Sequence, residues 1–189
     1  MIRIYLTTSL SLALCSIAAC GSDPVSFSAP VSINLKAKSG DVTGTTISEQ
    51  KAITTESGNP YGAFISDARA KLGGKDPARI ELDALTLTLG AQSINVTALD
   101  NVFAGDVDAA ILLDDSNNTY DAAHVMNPTG VGPVTMSVAF QPDAIAPQDT
   151  AKFLGGGFKV VLRGNAGAGF ASKGAEADLE LTFAFAAFE

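Results

Sequence analysis

An all-β domain, an antiparallel β-sandwich or jelly-roll-like fold with one short amphipathic helix, is what this sequence predicts. Three observations lead there. Apolar and polar residues alternate at period two through about seven or eight segments, the spacing of half-buried strands. Clusters of Gly, Pro, Asn and Asp separate those segments as turns. Only one stretch has convincing helical spacing, too few helices for repeated strand–helix–strand units. No internal repeat of fixed period is present. The chain has no Trp, so nothing supports an antibody-like core pin.

Taken in order, Val31, Ile33, Leu35 and Ala37 alternate with Ser32, Asn34, Lys36 and Lys38 and predict the first strand. Ser39-Gly40-Asp41 is a turn, and a polar, Thr-rich segment follows to Ser57. Asn59 and Pro60 open the helix: Asn59 caps, and Pro60 takes the first helical position, where its missing N–H is harmless. Tyr61, Phe64, Ile65, Ala68 and Leu72 make one apolar stripe that packs on a core, and Gly73-Gly74 ends it. Ile80 and Leu82 begin a strand whose phase slips at Asp83-Ala84 before Leu85, Leu87 and Leu89, the mark of a bulge. Ile94 and Val96 predict a short strand. Phe103, Gly105, Val107, Ala109, Ile111 and Leu113 share one parity of the next, opposite Asp106 and Asp108. Residues 114–118 are a turn cluster. Val134, Met136, Val138 and Phe140 line a further strand. Pro147 to Leu154 predict a short helix closed by Gly155-Gly156-Gly157. Phe158, Val160 and Leu162 alternate in the next strand. The last runs from Ala175 to Phe188, with Leu179, Leu181, Phe183 and Phe185 inward.

The first residues carry a different signal. Arg3 is the only charge before Asp23, and Ile4–Ala19 form a short apolar run diluted by Thr7, Thr8, Ser9, Ser11 and Ser16. A positive start, a short apolar core and a small-residue exit define a secretory signal; a spanning helix needs roughly 20 mostly apolar residues. Leu14-Cys15-Ser16-Ile17-Ala18-Ala19-Cys20-Gly21 resembles the lipobox of bacterial lipoproteins, with aliphatic Ile17 and small Ala18 and Ala19 before Cys20. The resemblance covers only residues 1–22. It implies cleavage before Cys20, a diacylglycerol on the Cys20 sulfur and an acyl chain on the new amino terminus. Stable anchoring takes two lipid chains, and a diacylglycerol supplies both. An ordinary signal cut after Ala19, with Cys20 unmodified, also exports the chain. The expected organisation is residues 1–19 as signal peptide, 20–30 as flexible tether and 31–189 as β-sandwich domain. Gly21-Ser22-Asp23 departs from the inner-membrane retention pattern, which places Asp directly after the cysteine. In a Gram-negative cell that favours the outer membrane.

Cys15 and Cys20 are the only cysteines. Once the signal is removed and Cys20 carries lipid, no thiol, disulfide or thiolate metal site is expected. The formal net charge is −8, which argues against nucleic acid, whose phosphates need clustered Lys and Arg.

Few motifs carry chemistry. Ser48-Glu49-Gln50-Lys51 matches S-x-x-K and Lys38-Ser39-Gly40 loosely matches K-T-G, but their order is reversed from serine penicillin-binding enzymes and S-D-N is missing. The glycines between 164 and 169 lack the G-K-[ST] of a phosphate loop and lead into a strand. His124 is the only histidine; it suffices for a hydrolase, yet no G-x-S-x-G elbow accompanies it. From Ile80 to Ala151 there is no Lys or Arg, while Glu81, Asp83, Asp100, Asp106, Asp108, Asp114, Asp115, Asp121, Asp143 and Asp149 fall in that span. Asp115, Asn117, Thr119 and Asp121 stand at positions 1, 3, 5 and 7 of a calcium loop, but Tyr120 and Met126 replace its Gly and bidentate Glu. The expectation is a solvated acidic surface, with Asp115, Asn117 and Asp121 as a weak calcium alternative and no other cofactor.

The function expected is that of a lipid-anchored cell-envelope protein with a binding or structural role. It is held to the membrane through Cys20 and contacts an envelope protein or glycan. The alternatives are an envelope hydrolase using His124 and a calcium-dependent adhesion or carbohydrate-binding module.

Overall fold

The computed structural model describes residues 25–189 except Lys173. The signal segment, Cys20 and the start of the tether lie outside the described residues. Among the described residues eight strands form: β1 (Ser26–Lys38), β2 (Thr46–Ile53), β3 (Arg79–Leu89), β4 (Phe103–Leu113), β5 (Thr119–Met126), β6 (Val134–Val138), β7 (Phe158–Ala166) and β8 (Glu176–Phe188). The α-helices among the same residues are α1 (Pro60–Lys71), α2 (Leu99–Val102) and α3 (Pro147–Gly155).

The pairing is that of a long antiparallel ribbon folded at the β4–β5 turn, with β1 on β8, β2 on β7, β3 on β6 and β4 on β5. Rolling the ribbon adds β3 on β8, β4 on β7 and β5 on β6. The strand order becomes β1-β8-β3-β6-β5-β4-β7-β2, a jelly roll of two four-stranded halves. A short ladder, Ala123↔Val138 and His124↔Ser137, stitches β5 to β6, and just beyond it the Ala139 and Phe140 N–H groups donate to Ala122 O. On the opposite side β1 and β2 lie side by side but exchange no ladder hydrogen bonds, leaving an open seam.

Period two explains the core. Val31, Ile33, Leu85, Leu87, Leu179, Leu181 and Phe183 from one half meet Val107, Ile111, Phe158, Val160 and Leu162 from the other in a single buried cluster. Each such side chain contributes about 1.5–3 kcal/mol on leaving water. Both longer helices close the same end, because the β2–β3 and β6–β7 connections emerge there beside the start of β1. Asn59 Oδ1 accepts from Tyr61 N at 3.0 Å and starts α1. The fully buried Tyr61 ring lies edge-on to Phe158 at 5.1 Å and Phe185 at 5.7 Å, and its hydroxyl donates to Phe153 O at 2.8 Å. The left-handed Gly156 ends α3.

Several expectations change. Ser26–Pro30, expected in the tether, belong to β1 and pair with Ala184–Phe188. Ser39 N donates to Ala175 O, so odd residues of β1 bond β8 and Pro30, which lacks an N–H, stands on the free side where proline is tolerated. The segment to Ser57 contains β2: Ile47 and Ile53 are buried, and Glu49 and Lys51 share their parity at the seam, which hides the alternation. β5 escaped the sequence reading because a bulge places Ala122 and Ala123 both in the core. Ile94 makes only an isolated bridge to Glu176 and is exposed, so no strand forms at Ile94–Val96. α3 forms where Pro147 to Leu154 predict a short helix, and the one-turn α2 is an addition to the expected helices.

Candidate functional site

Asp149 aside, the buried side chains among the described residues are apolar, so the polar groups open to a ligand lie on the outer faces. Register aligns one outward row across the four strands of the β5-β4-β7-β2 half and onto the adjoining β6: Ser48, Arg163, Asp108, His124 and Ser137. All five are exposed.

A bulge shapes this face. Ala104 pairs with Asn165, but Val107 pairs with Gly164, so Gly105 and Asp106 are extra residues on β4. Gly105 has φ +81, a left-handed value that favours glycine. A Cβ on Gly164 would lie 2.9 Å from the Phe103 ring, so the strand has to be bare there. The result is an open concavity of about 450 Å³ bordered by Thr46, Asp106, Asp108, Arg163 and Asn165. Arg69 pairs with Asp76 and Arg79 with Glu81. Arg163 is the one arginine among the described residues with no carboxylate within 4.0 Å. Asp106 and Asp108 likewise have no ion-pair or side-chain hydrogen-bond partner among the described residues.

Next to it, Asp108, Asp121, His124 and Ala139 border a second depression of about 290 Å³. His124 thus has Asp108 on one neighbouring strand and Ser137 on the other, although no hydrogen bond joins the three among the described residues.

The residues proposed for calcium are divided. Asp121 lies at the His124 depression. Asp115 and Asn117 occupy the β4–β5 turn in left-handed conformations, φ 64 and 55. The Lys152 ammonium reaches from α3 to Asp114 O at 2.8 Å and Asp115 Oδ2 at 3.3 Å, and so brings a positive charge into that turn. Beneath it Asp149 is fully enclosed. Its Oδ2 accepts from Asn118 Nδ2 at 2.7 Å and the Tyr120 hydroxyl at 3.0 Å. The Asn118 amide foremost, then Ser116, Tyr120 and Lys152, hold this carboxyl below its ordinary value against the opposing effect of burial. Among the described residues no group of three or more His, Cys, Asp or Glu is gathered for a metal.

Sequence reasoning singled out Asp106, Asp108 and His124 but missed Arg163, Asn165 and Thr46. The available signal was Gly164 inside an alternating strand, which marks a bulge or close approach. Cys20 lies outside the described residues.

No protein-family model matches this chain, and no curated protein matches its sequence.

Proposed function

We propose that this chain is a lipid-anchored cell-envelope binding module whose ligand surface is the outer face of β5-β4-β7-β2. The observation that carries the reading is a division of labour in the fold. The buried core is apolar apart from Asp149, while polar side chains with no side-chain partner among the described residues gather around the bulged concavity. The lipobox-like residues ending at Cys20 support export and anchoring, with the outer membrane favoured in a Gram-negative cell. β1 starts at the helix-capped end, so a tether from Cys20 would bring that end toward the bilayer. The turns β1–β2, β3–β4, β5–β6 and β7–β8 would then point away.

The test is a thermal-shift screen of the mature chain carrying Cys20→Ala against sugars, amino acids and short peptides. A ligand whose shift vanishes in Arg163→Gln and Asp108→Asn, but persists in Glu180→Gln on the other half, establishes the surface. Ligands indifferent to both substitutions place binding elsewhere.

A second reading, acyl hydrolysis, is favoured by the register of Asp108, His124 and Ser137. It needs Ser137 as nucleophile, His124 as base and Asp108 to orient the ring. A serine-directed fluorophosphonate that labels the wild type but not Ser137→Ala would establish it.

A further inference from the structure

We infer that the concavity at the β4 bulge recognises a zwitterionic α-amino acid, its carboxylate on Arg163 and its ammonium between Asp106 and Asp108. This rests on the outer-face reading above and names the ligand class for the same surface.

The site's charges decide the class. Asp108 and Arg163 are register partners on adjacent strands, which places their Cβ atoms about 4.5–5.5 Å apart. Yet they form no ion pair, and the side chains of Asp106 and Asn165 beside them have no hydrogen-bond or ion-pair partner among the described residues. Both signs therefore face the concavity unneutralised. A simple anion would satisfy Arg163 but meet two carboxylates. A simple cation would satisfy the aspartates but meet the guanidinium. A molecule bearing both charges on one carbon answers both, with the planar guanidinium suited to bidentate contact with a carboxylate. A neutral sugar is less well matched, because no aromatic ring borders the concavity to stack on it. Thr46 and Asn165 supply a hydroxyl and an amide at the rim for the remaining hydrogen bonds.

Calorimetric titration of the mature Cys20→Ala chain tests this with alanine of either hand. N-acetylalanine, which lacks the ammonium, alaninamide, which lacks the carboxylate, and glucose are the controls. The expected result is that alanine binds and each control binds at least about tenfold more weakly. Arg163→Gln should abolish the preference for alanine over alaninamide, and Asp108→Asn should reduce the preference over N-acetylalanine. Both sites are exposed, so unchanged melting midpoints confirm that the variants fold. Alanine affinity untouched by either substitution, or no alanine binding, overturns the inference. Glucose bound in preference and lost in Arg163→Gln also overturns it, while leaving the outer-face reading in place.

Discussion

At the scale of single residues, two carboxyls respond to pH with opposite sign. Asp149 is enclosed and held below its ordinary value by Asn118, Ser116 and Tyr120. It therefore contributes stability that is present above the ordinary aspartate range and is lost as pH falls through its lowered folded value. Asp149→Asn should melt at a lower temperature than wild type at pH 7, and the gap should narrow near pH 3; calorimetry at both values measures it. Glu49 is the reverse case. Burial foremost, then the charge of Asp41, raises its value, so its ionised form opposes folding at neutral pH. Glu49→Gln should raise the melting midpoint at pH 7, with the gain fading as pH drops toward the ordinary glutamate value. A lower midpoint at pH 7 would mean that Glu49 has a stabilising partner across the seam.

At the scale of elements, packing makes sharper demands. A Cβ on Gly62 would sit 2.7 Å from the carbonyl oxygen of Thr55, so α1 lies against that backbone and an added methyl forces one of the two to shift. Gly62→Ala should destabilise by about 1–3 kcal/mol through this clash, despite alanine's better helix propensity. Urea denaturation at constant m-value would show it. On β8, Phe183 is fully buried, and Phe183→Ala should cost about 3–5 kcal/mol. Glu180→Ala on the opposite parity should stay within about 0.5 kcal/mol, and similar denaturation midpoints for the two would contradict the register. Bulges show what was legible in the sequence. The one-residue bulge between Leu82 and Ala84 in β3 flips the parity and was visible as a phase slip. The two-residue bulge at Gly105 and Asp106 restores it, so Phe103 through Leu113 read as an unbroken strand while the site-forming distortion stayed hidden. α1 was legible because its cap, proline and stripe are all local. β2 was not, because an edge strand at a seam carries Glu49 and Lys51 where a central strand would carry apolar residues. Inward charges of this kind also guard an open edge against pairing with other chains.

At the scale of the whole molecule, alternation and turn spacing predicted the all-β antiparallel class. The strand order rests on long-range pairing, such as β1 with β8, that no local pattern encodes. The acidic span from Ile80 to Ala151 spreads over both halves and several turns, and Lys152 already brings a cation to the β4–β5 turn. Calcium and magnesium at matched ionic strength should therefore shift the melting midpoint equally, through screening alone. A calcium-specific rise of roughly 2–4 °C at ten times Kd would instead establish a site at Asp115, Asn117 and Asp121. The proposed function anchors this module to a membrane through Cys20 alone. Metabolic labelling with an alkyne fatty acid, in cells producing the wild type or Cys20→Ser, tests that most directly. The predicted result is label on the processed wild-type chain and none on the variant, which remains uncleaved. Label retained by Cys20→Ser, or a processed wild-type chain without label, would contradict the anchor.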